Sequence, residues 1–143
     1  MKKVVFILLI IFSALFFSCS KRVDSSSSPT ATIIPAESAI LFTINVDPGS
    51  GNILAVVGTS QAINVKVSSV ILAAGVTINV TVTKDLDNST VFTVSNSSLS
   101  TDNNITITGL TPGVLCTATV VVTSKSTTTN NKTTTFKLAS KSS

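Results

Sequence analysis

From Ala39 onward, apolar side chains return at every second position in short runs separated by turn-forming residues. Ile40, Phe42, Ile44 and Val46 alternate with Leu41, Thr43 and Asn45, and Asp47-Pro48-Gly49-Ser50-Gly51 ends that run. Ile53 to Val57 is continuously apolar and stops at Gly58. Ile63, Val65 and Val67 flank Asn64 and Lys66, and Val76, Ile78, Val80 and Val82 alternate with Thr77, Asn79, Thr81 and Thr83. Phe92 and Val94 follow a polar turn at Asp85-Leu86-Asp87-Asn88, and Ile105 and Ile107 follow another at Asp102-Asn103-Asn104. Val114, Cys116, Ala118, Val120 and Val122 then alternate with threonines, and Phe136 and Leu138 close the series. A period of two with β-branched residues in excess is the mark of half-buried strands, and no stretch after Ser38 shows the helical period of about 3.6. Seven to eight antiparallel strands, each with one dry face, need a second sheet to cover that face. The expected fold is all-β, a two-sheet sandwich over residues 39–143.

One segment sharpens this expectation. Ile107-Thr108-Gly109-Leu110-Thr111-Pro112-Gly113-Val114-Leu115-Cys116-Thr117-Ala118-Thr119-Val120 resembles the connection between the fifth and sixth strands of fibronectin type III and related immunoglobulin-like domains. In that family a strand ends at a leucine, a Pro-Gly turn follows, and a tyrosine opens the next strand three residues past the glycine. Leu110, Pro112 and Gly113 match; Cys116 stands at the tyrosine position, and the chain has no tryptophan. The resemblance implies an immunoglobulin-like, fibronectin type III-like sandwich, which says nothing about activity.

The pattern before residue 39 is of another kind. Lys2 and Lys3 precede an apolar run from Val4 to Phe17, broken only by Ser13, and Ser18-Cys19 follow. That run is too short for a spanning helix, which needs roughly 20 apolar residues, and reads as a signal-peptide core. Leu15-Phe16-Phe17-Ser18-Cys19 resembles the lipobox of bacterial lipoproteins, although Phe17 replaces the small residue often found there. The resemblance implies a signal peptide at 1–18, removal of that peptide, and a diacylglyceryl group on Cys19; the alternative is an ordinary secretory signal cleaved elsewhere. Residues 19–38 are rich in Ser, Thr and Pro and too poor in apolar side chains to order themselves, so they read as a flexible tether. The expected location is the bacterial cell envelope, lipid-anchored at the outer membrane or cell surface, with the membrane itself as one partner.

Charge adds little. Without Lys2 and Lys3, the remaining 8 basic and 6 acidic side chains leave a net of +2 on 125 residues, with the lysines scattered singly. No basic stripe interleaved with aromatics supports nucleic-acid binding. His, Tyr and Trp are absent, which removes the usual base of a nucleophilic triad and the usual zinc ligands, so no catalytic residue and no cofactor is expected. Asp85 and Asp87, with Asn88, form the one oxygen-rich cluster that could approach a hard cation, sharing it with Asp102-Asn103-Asn104 if both turns lie at one end. The simpler reading is that Asp and Asn fill turns because their side chains bond the local backbone. Cys116 lies on the apolar phase and reads as a small buried hydrophobe rather than a reactive thiol. Phe42, Phe92 and Phe136 fall on the same phase and read as core, leaving no aromatic platform for a sugar ring.

Ser124 to Thr135 is a polar run, long for a hairpin loop, whose central residues Thr127, Thr128, Thr129, Asn130 and Asn131 are the candidate contact surface. Lying outside the apolar alternation, they are expected to be replaceable with almost no effect on stability. The functional expectation is a non-catalytic binding or adhesion module with a protein or glycan partner in the envelope. The rivals are a carbohydrate-binding accessory lipoprotein and a fimbrial, pilin-like subunit that exchanges the segment Ile40 to Val46 through an edge strand.

Overall fold

The structure, a computed structural model, describes residues 36–142; the leader at 1–18, Cys19 and the tether up to residue 35 lie outside the described residues. Eight strands follow in order: β1 (Phe42–Ile44), β2 (Ile53–Val57), β3 (Gln61–Val67), β4 (Val76–Lys84), β5 (Thr90–Ser98), β6 (Asp102–Ile107), β7 (Leu115–Ser124) and β8 (Asn131–Lys141). They form a three-stranded sheet in the order β1-β3-β6 and a five-stranded sheet in the order β2-β8-β7-β4-β5. All pairings are antiparallel except β2 with β8, which run parallel. This is an immunoglobulin-like sandwich. The N-terminal strand is split at Asp47 to Asn52: β1 borders one sheet and β2 borders the other.

The alternation along the chain becomes the core. Ile63, Val65, Val67, Ile105 and Ile107 of the small sheet face Val76, Ile78, Val80, Val82, Ala118, Val120, Val122, Phe136 and Leu138 of the large one, all buried. The central register pairs Val80 with Val120 on one side and with Val94 on the other. Threonines and asparagines in the opposite phase of β4 and β7 form the outer wall. Phe136 is core as expected, whereas Phe42 and Phe92 are only half-buried, packed against the core where β1 and β5 have neighbours on one side alone.

The connection that carried the family resemblance runs from β6 to β7. Leu110 is buried and donates its N–H to the Thr59 carbonyl at 3.0 Å, and the Gly113 N–H donates to the Ser140 carbonyl at 2.9 Å. Cys116 then opens the buried phase of β7. Its burial, aided by the negative charge of Asp85, pushes the thiol pKa up. A thiol kept protonated and covered is a poor nucleophile.

Two polar stretches behave differently from the sequence expectation. Asp102-Asn103-Asn104 is not a turn but the first half of β6, with Asp102 opposite Lys66 and Asn104 opposite Asn64. Asn64 donates from Nδ2 to Asn104 Oδ1 at 2.9 Å, and its N–H donates to Asn45 Oδ1 at 2.8 Å. This amide ladder runs from Asn45, just past the end of β1, across β3 to β6. Likewise, the run Ser124 to Thr135 is a loop only over residues 125–130. Ser124 ends β7, and Asn131 to Thr135 belong to β8, paired with Thr123 back to Thr119.

Candidate functional site

The loops gather at two ends, and the candidate residues divide between them. One end brings together the β3–β4 loop (68–75), the β5–β6 turn (99–101), the β7–β8 loop (125–130) and the incoming chain at 36–40. The other carries the β4–β5 turn (85–89) and the β6–β7 connection (108–114). Between them β5 runs nine residues, about 30 Å at strand rise. Asp85 and Asp87 therefore lie at the opposite end from Asp102 to Asn104, and the two clusters do not share an ion.

Each aspartate of the β4–β5 turn already has local partners. Asp85 accepts hydrogen bonds from Lys137 Nζ and from Thr117 Oγ1, both at 2.5 Å, and the same lysine also reaches Thr117 Oγ1 at 2.7 Å. The Lys137 bond first and the Thr117 bond second lower the Asp85 pKa, against a smaller opposing effect of burial. Asp87 is held below its ordinary value by Ser89, through its hydroxyl and its N–H; of the two only the N–H contact closes, at 2.9 Å. That bond is an Asx-type turn, and the next residue, Asn88, takes the left-handed conformation with φ of 58° that asparagine tolerates. Among the described residues no three His, Cys, Asp or Glu side chains are placed to hold a metal ion.

At the other end, the candidate loop splits in character at Asn130. Thr127, Thr128 and Thr129 are exposed, with Asn131 Nδ2 bonded back to the carbonyls of Thr128 and Thr129 at 3.3 Å. Asn130 instead faces inward. Its Oδ1 accepts the Ile40 N–H at 3.0 Å, and its Nδ2 donates to the Ser38 carbonyl at 2.9 Å. Its own N–H donates to the Thr127 carbonyl at 2.8 Å, and its carbonyl accepts the Ser124 N–H at 3.0 Å. One asparagine thus joins the loop to the chain as it enters the sandwich. Buried Ser124 supports it by accepting the N–H groups of Ser126 and Thr127 at 3.1 and 3.3 Å. Glu37 sits alongside; the Ser124 hydroxyl, ahead of Asn130 and Thr127, draws its pKa below 4.5 despite partial burial, with Oε2 left without a partner. The last residues of the stretch 19–38 are therefore bonded to this loop. Rewriting 127–131 removes a structural clamp, which corrects the expectation that the whole loop is dispensable for stability.

Beside this clamp the surface is apolar, a feature that period-two reading passed over. Val70 and Leu99 are 70% and 69% exposed, and Leu72 is exposed nearby in the same loop. Leu99, Ala73, Ala74, Ser97, Ser98 and Lys125 line a shallow cleft of about 300 Å³. Gly75 makes the junction possible. It has φ of 81°, and a Cβ there would lie 2.5 Å from the Ser98 carbonyl oxygen, so only glycine fits. Its N–H donates to the Leu72 carbonyl at 2.8 Å and its carbonyl accepts the Lys125 N–H at 3.0 Å, tying the loops together. Long apolar side chains in a Gly-bounded loop were the only available signal, and they do not reveal which loops meet.

No family model matches the chain, and no curated protein matches it. Among solved structures it is similar to the sensor domain of the anti-sigma factor RsgI4 of Pseudobacteroides cellulosolvens, in a short form. That similarity is at 19% identity over 72% of this chain and 97% of that one, with a TM-score of 0.44. A solution structure of the same sensor domain is similar at 18% identity over 70% and 76%, with a TM-score of 0.41.

Proposed function

We propose that this chain is a lipid-anchored protein of the bacterial cell envelope whose sandwich is a non-catalytic module that binds a protein partner. The leader, with its apolar run from Val4 to Phe17 followed directly by Ser18-Cys19, supports the anchor. One observation carries the binding role: this loop end exposes Val70 and Leu72 in the β3–β4 loop and Leu99 at the rim of a shallow cleft, with Gly75 bonded to Leu72 and Lys125. The carboxylates of the opposite turn, by contrast, are engaged with Lys137, Thr117 and Ser89. Aliphatic side chains on a rigid rim gain free energy by covering one another, whereas a sugar ring is better served by an exposed aromatic face. That difference favours a protein partner over a glycan. Residues 36–40 enter the sandwich at this same end, where Asn130 bonds Ser38 and Ile40, which supports a contact surface beside the point of entry.

The test has two arms. The chain is expected to partition into the detergent phase and to incorporate a labelled fatty acid, and Cys19→Ala is expected to abolish both. Equal labelling and retention in the variant would remove the lipoprotein reading. The double variant Leu72→Ser, Leu99→Ser is expected to weaken cell adhesion or partner recovery while leaving the melting temperature unchanged. Undiminished binding would move the contact surface away from this end.

A further inference from the structure

We propose that residues 36–46 form a releasable strap, which opens as one unit about the turn at 47–52 while β2 to β8 keep their places. Within this stretch only β1 is strand, and it is the shortest of the eight, with three residues facing three on β3. Every other pairing between strands spans at least five facing residues. Segments with few buried contacts and few hydrogen bonds to the rest of a protein open ahead of it.

The seam between strap and body is held at a few points. Asn130 accepts the Ile40 N–H and donates to the Ser38 carbonyl, at 3.0 and 2.9 Å. The Leu41 carbonyl accepts the N–H groups of Ser68 and Ser69 at 2.8 and 3.3 Å, and the Ser68 hydroxyl at 3.2 Å. Past β1, the Asn45 N–H donates to the Asn64 carbonyl at 3.2 Å, and Asn45 Oδ1 accepts the Asn64 N–H at 2.8 Å. Of the large apolar side chains, Ile40 and Ile44 are buried, Phe42 and Val46 are half-buried, and Leu41 is exposed.

The body keeps its own bonds when the strap leaves. β3 faces β6 over the six residues Gln61 to Lys66, and the Val67 N–H donates to the Thr101 carbonyl at 2.8 Å. Ile63, Val65 and Val67 still face the large sheet. β2 follows the strap along the chain but belongs to the other sheet, paired with β8. Between them stand Gly49 and Gly51, with φ of 82° and 80°, and nothing lies within 4 Å of a Cβ placed at Gly51. A glycine turn with open space around it can change direction without moving β2. Opening uncovers the outer edge of β3 and frees Ser68 and Ser69, where the loop bearing Val70 and Leu72 begins. Only that effect on the loop rests on the contact surface proposed above.

Native-state amide exchange of the full chain in detergent micelles, read by NMR, tests the strap. The N–H groups of Ile40, Asn45, Asn64 and Ser68 all have their acceptors across the seam. These four are expected to share one protection factor, about 100-fold below that of Val67, and a weaker dependence on denaturant. Val120→Ala, in the middle of the body, is expected to speed exchange at Val67 and along β4 roughly tenfold. It should leave the four unchanged, because the strap opens with position 120 still packed. Asn130→Ala is expected to speed the four roughly tenfold or more. Protection of the four equal to that of Val67, or their acceleration alongside it in Val120→Ala, would overturn the proposal. So would four unrelated protection factors, which mark fraying residue by residue.

Discussion

β4 and β2 belong to the same sheet and are both built from Val, Ile and small residues, but they obtain their places differently. β4 has β5 on one side and β7 on the other, and Val76, Ile78, Val80 and Val82 are all at most 1% exposed. Its threonines and asparagine close the outer wall between neighbouring strands. β2 has one neighbour, buries Val56 fully, and presents Ile53 and Val57 to solvent. Burying a valine side chain fully is worth about 1.5–3 kcal/mol, so hydrophobic stabilisation concentrates in β4 and its partner β7. β2 is held chiefly by its backbone pairing with β8. The contrast separates residues that make the fold from residues that the fold leaves available.

The largest expected effect lies in the centre. Val80→Asp or Val120→Asp places an unpaired charge between the sheets, at positions that face each other in the register. Either change is expected to exceed the roughly 4–5 kcal/mol that marks exceptional destabilisation, and so to leave the domain unfolded in circular dichroism melts. Thr81→Asp, one residue out of phase, is expected to cost about 1 kcal/mol or less. If Thr81→Asp were the more damaging, the register of β4 would be displaced by one residue.

Next in size is the clamp at the loop end. Asn130→Ala leaves the Ile40 N–H and the Ser38 carbonyl without their partner, a loss of about 1–3 kcal/mol. Faster amide exchange at Ile40 should accompany the lower melting temperature. Thr128→Ala, two residues away and exposed, should stay within about 0.5 kcal/mol. Equal effects at the two positions would show that the chain entering at Ile40 is held by packing alone.

These residues also mark where the sequence stops being informative. The phase of β3, β4 and β7 was legible because a buried face forces strict alternation. The polar ends of strands were not: Thr133, Thr134 and Thr135 lie in β8, and Asp102 to Asn104 lie in β6, without an apolar partner phase to reveal them. Asn130 looked like any loop asparagine because the groups it serves are some ninety positions earlier in the chain. The run Ile53 to Val57 announced a strand but not its outward face, since both phases are apolar. That Leu99 lies beside Ala73 and Ala74 depended on two loops meeting, which no local pattern encodes.

A smaller effect links the centre to the edge through Lys137, which stands beside Ile53 in the register and bonds Asp85. The folded pKa of Asp85 lies below its ordinary 3.8, the Lys137 bond being the main cause and Thr117 the second. A carboxyl depressed in this way stabilises the fold fully above its unfolded pKa, and the contribution disappears as pH falls through the folded value. With Lys137 nearly half exposed, solvent screens much of the pair, and the contribution is expected to stay within about 1 kcal/mol. Lys137→Met should therefore lower the melting temperature slightly at pH 7 and change it little near pH 2. An unchanged acid limb in the variant would mean that the pair is neutral in stability.

The smallest effect is the one most diagnostic of β2. Ile53→Thr and Val57→Thr exchange exposed apolar side chains for the residue that fills the same phase on β4 and β7. In dilute solution they are expected to change stability by about 0.5 kcal/mol or less, because threonine is also β-branched and neither position loses buried area. Val56→Thr, inward on the same strand, buries a hydroxyl among Val and Leu side chains and should cost about 1–3 kcal/mol. If Val56→Thr proved as mild as the outward pair, β2 would be held by its backbone pairing with β8 rather than by its inward face.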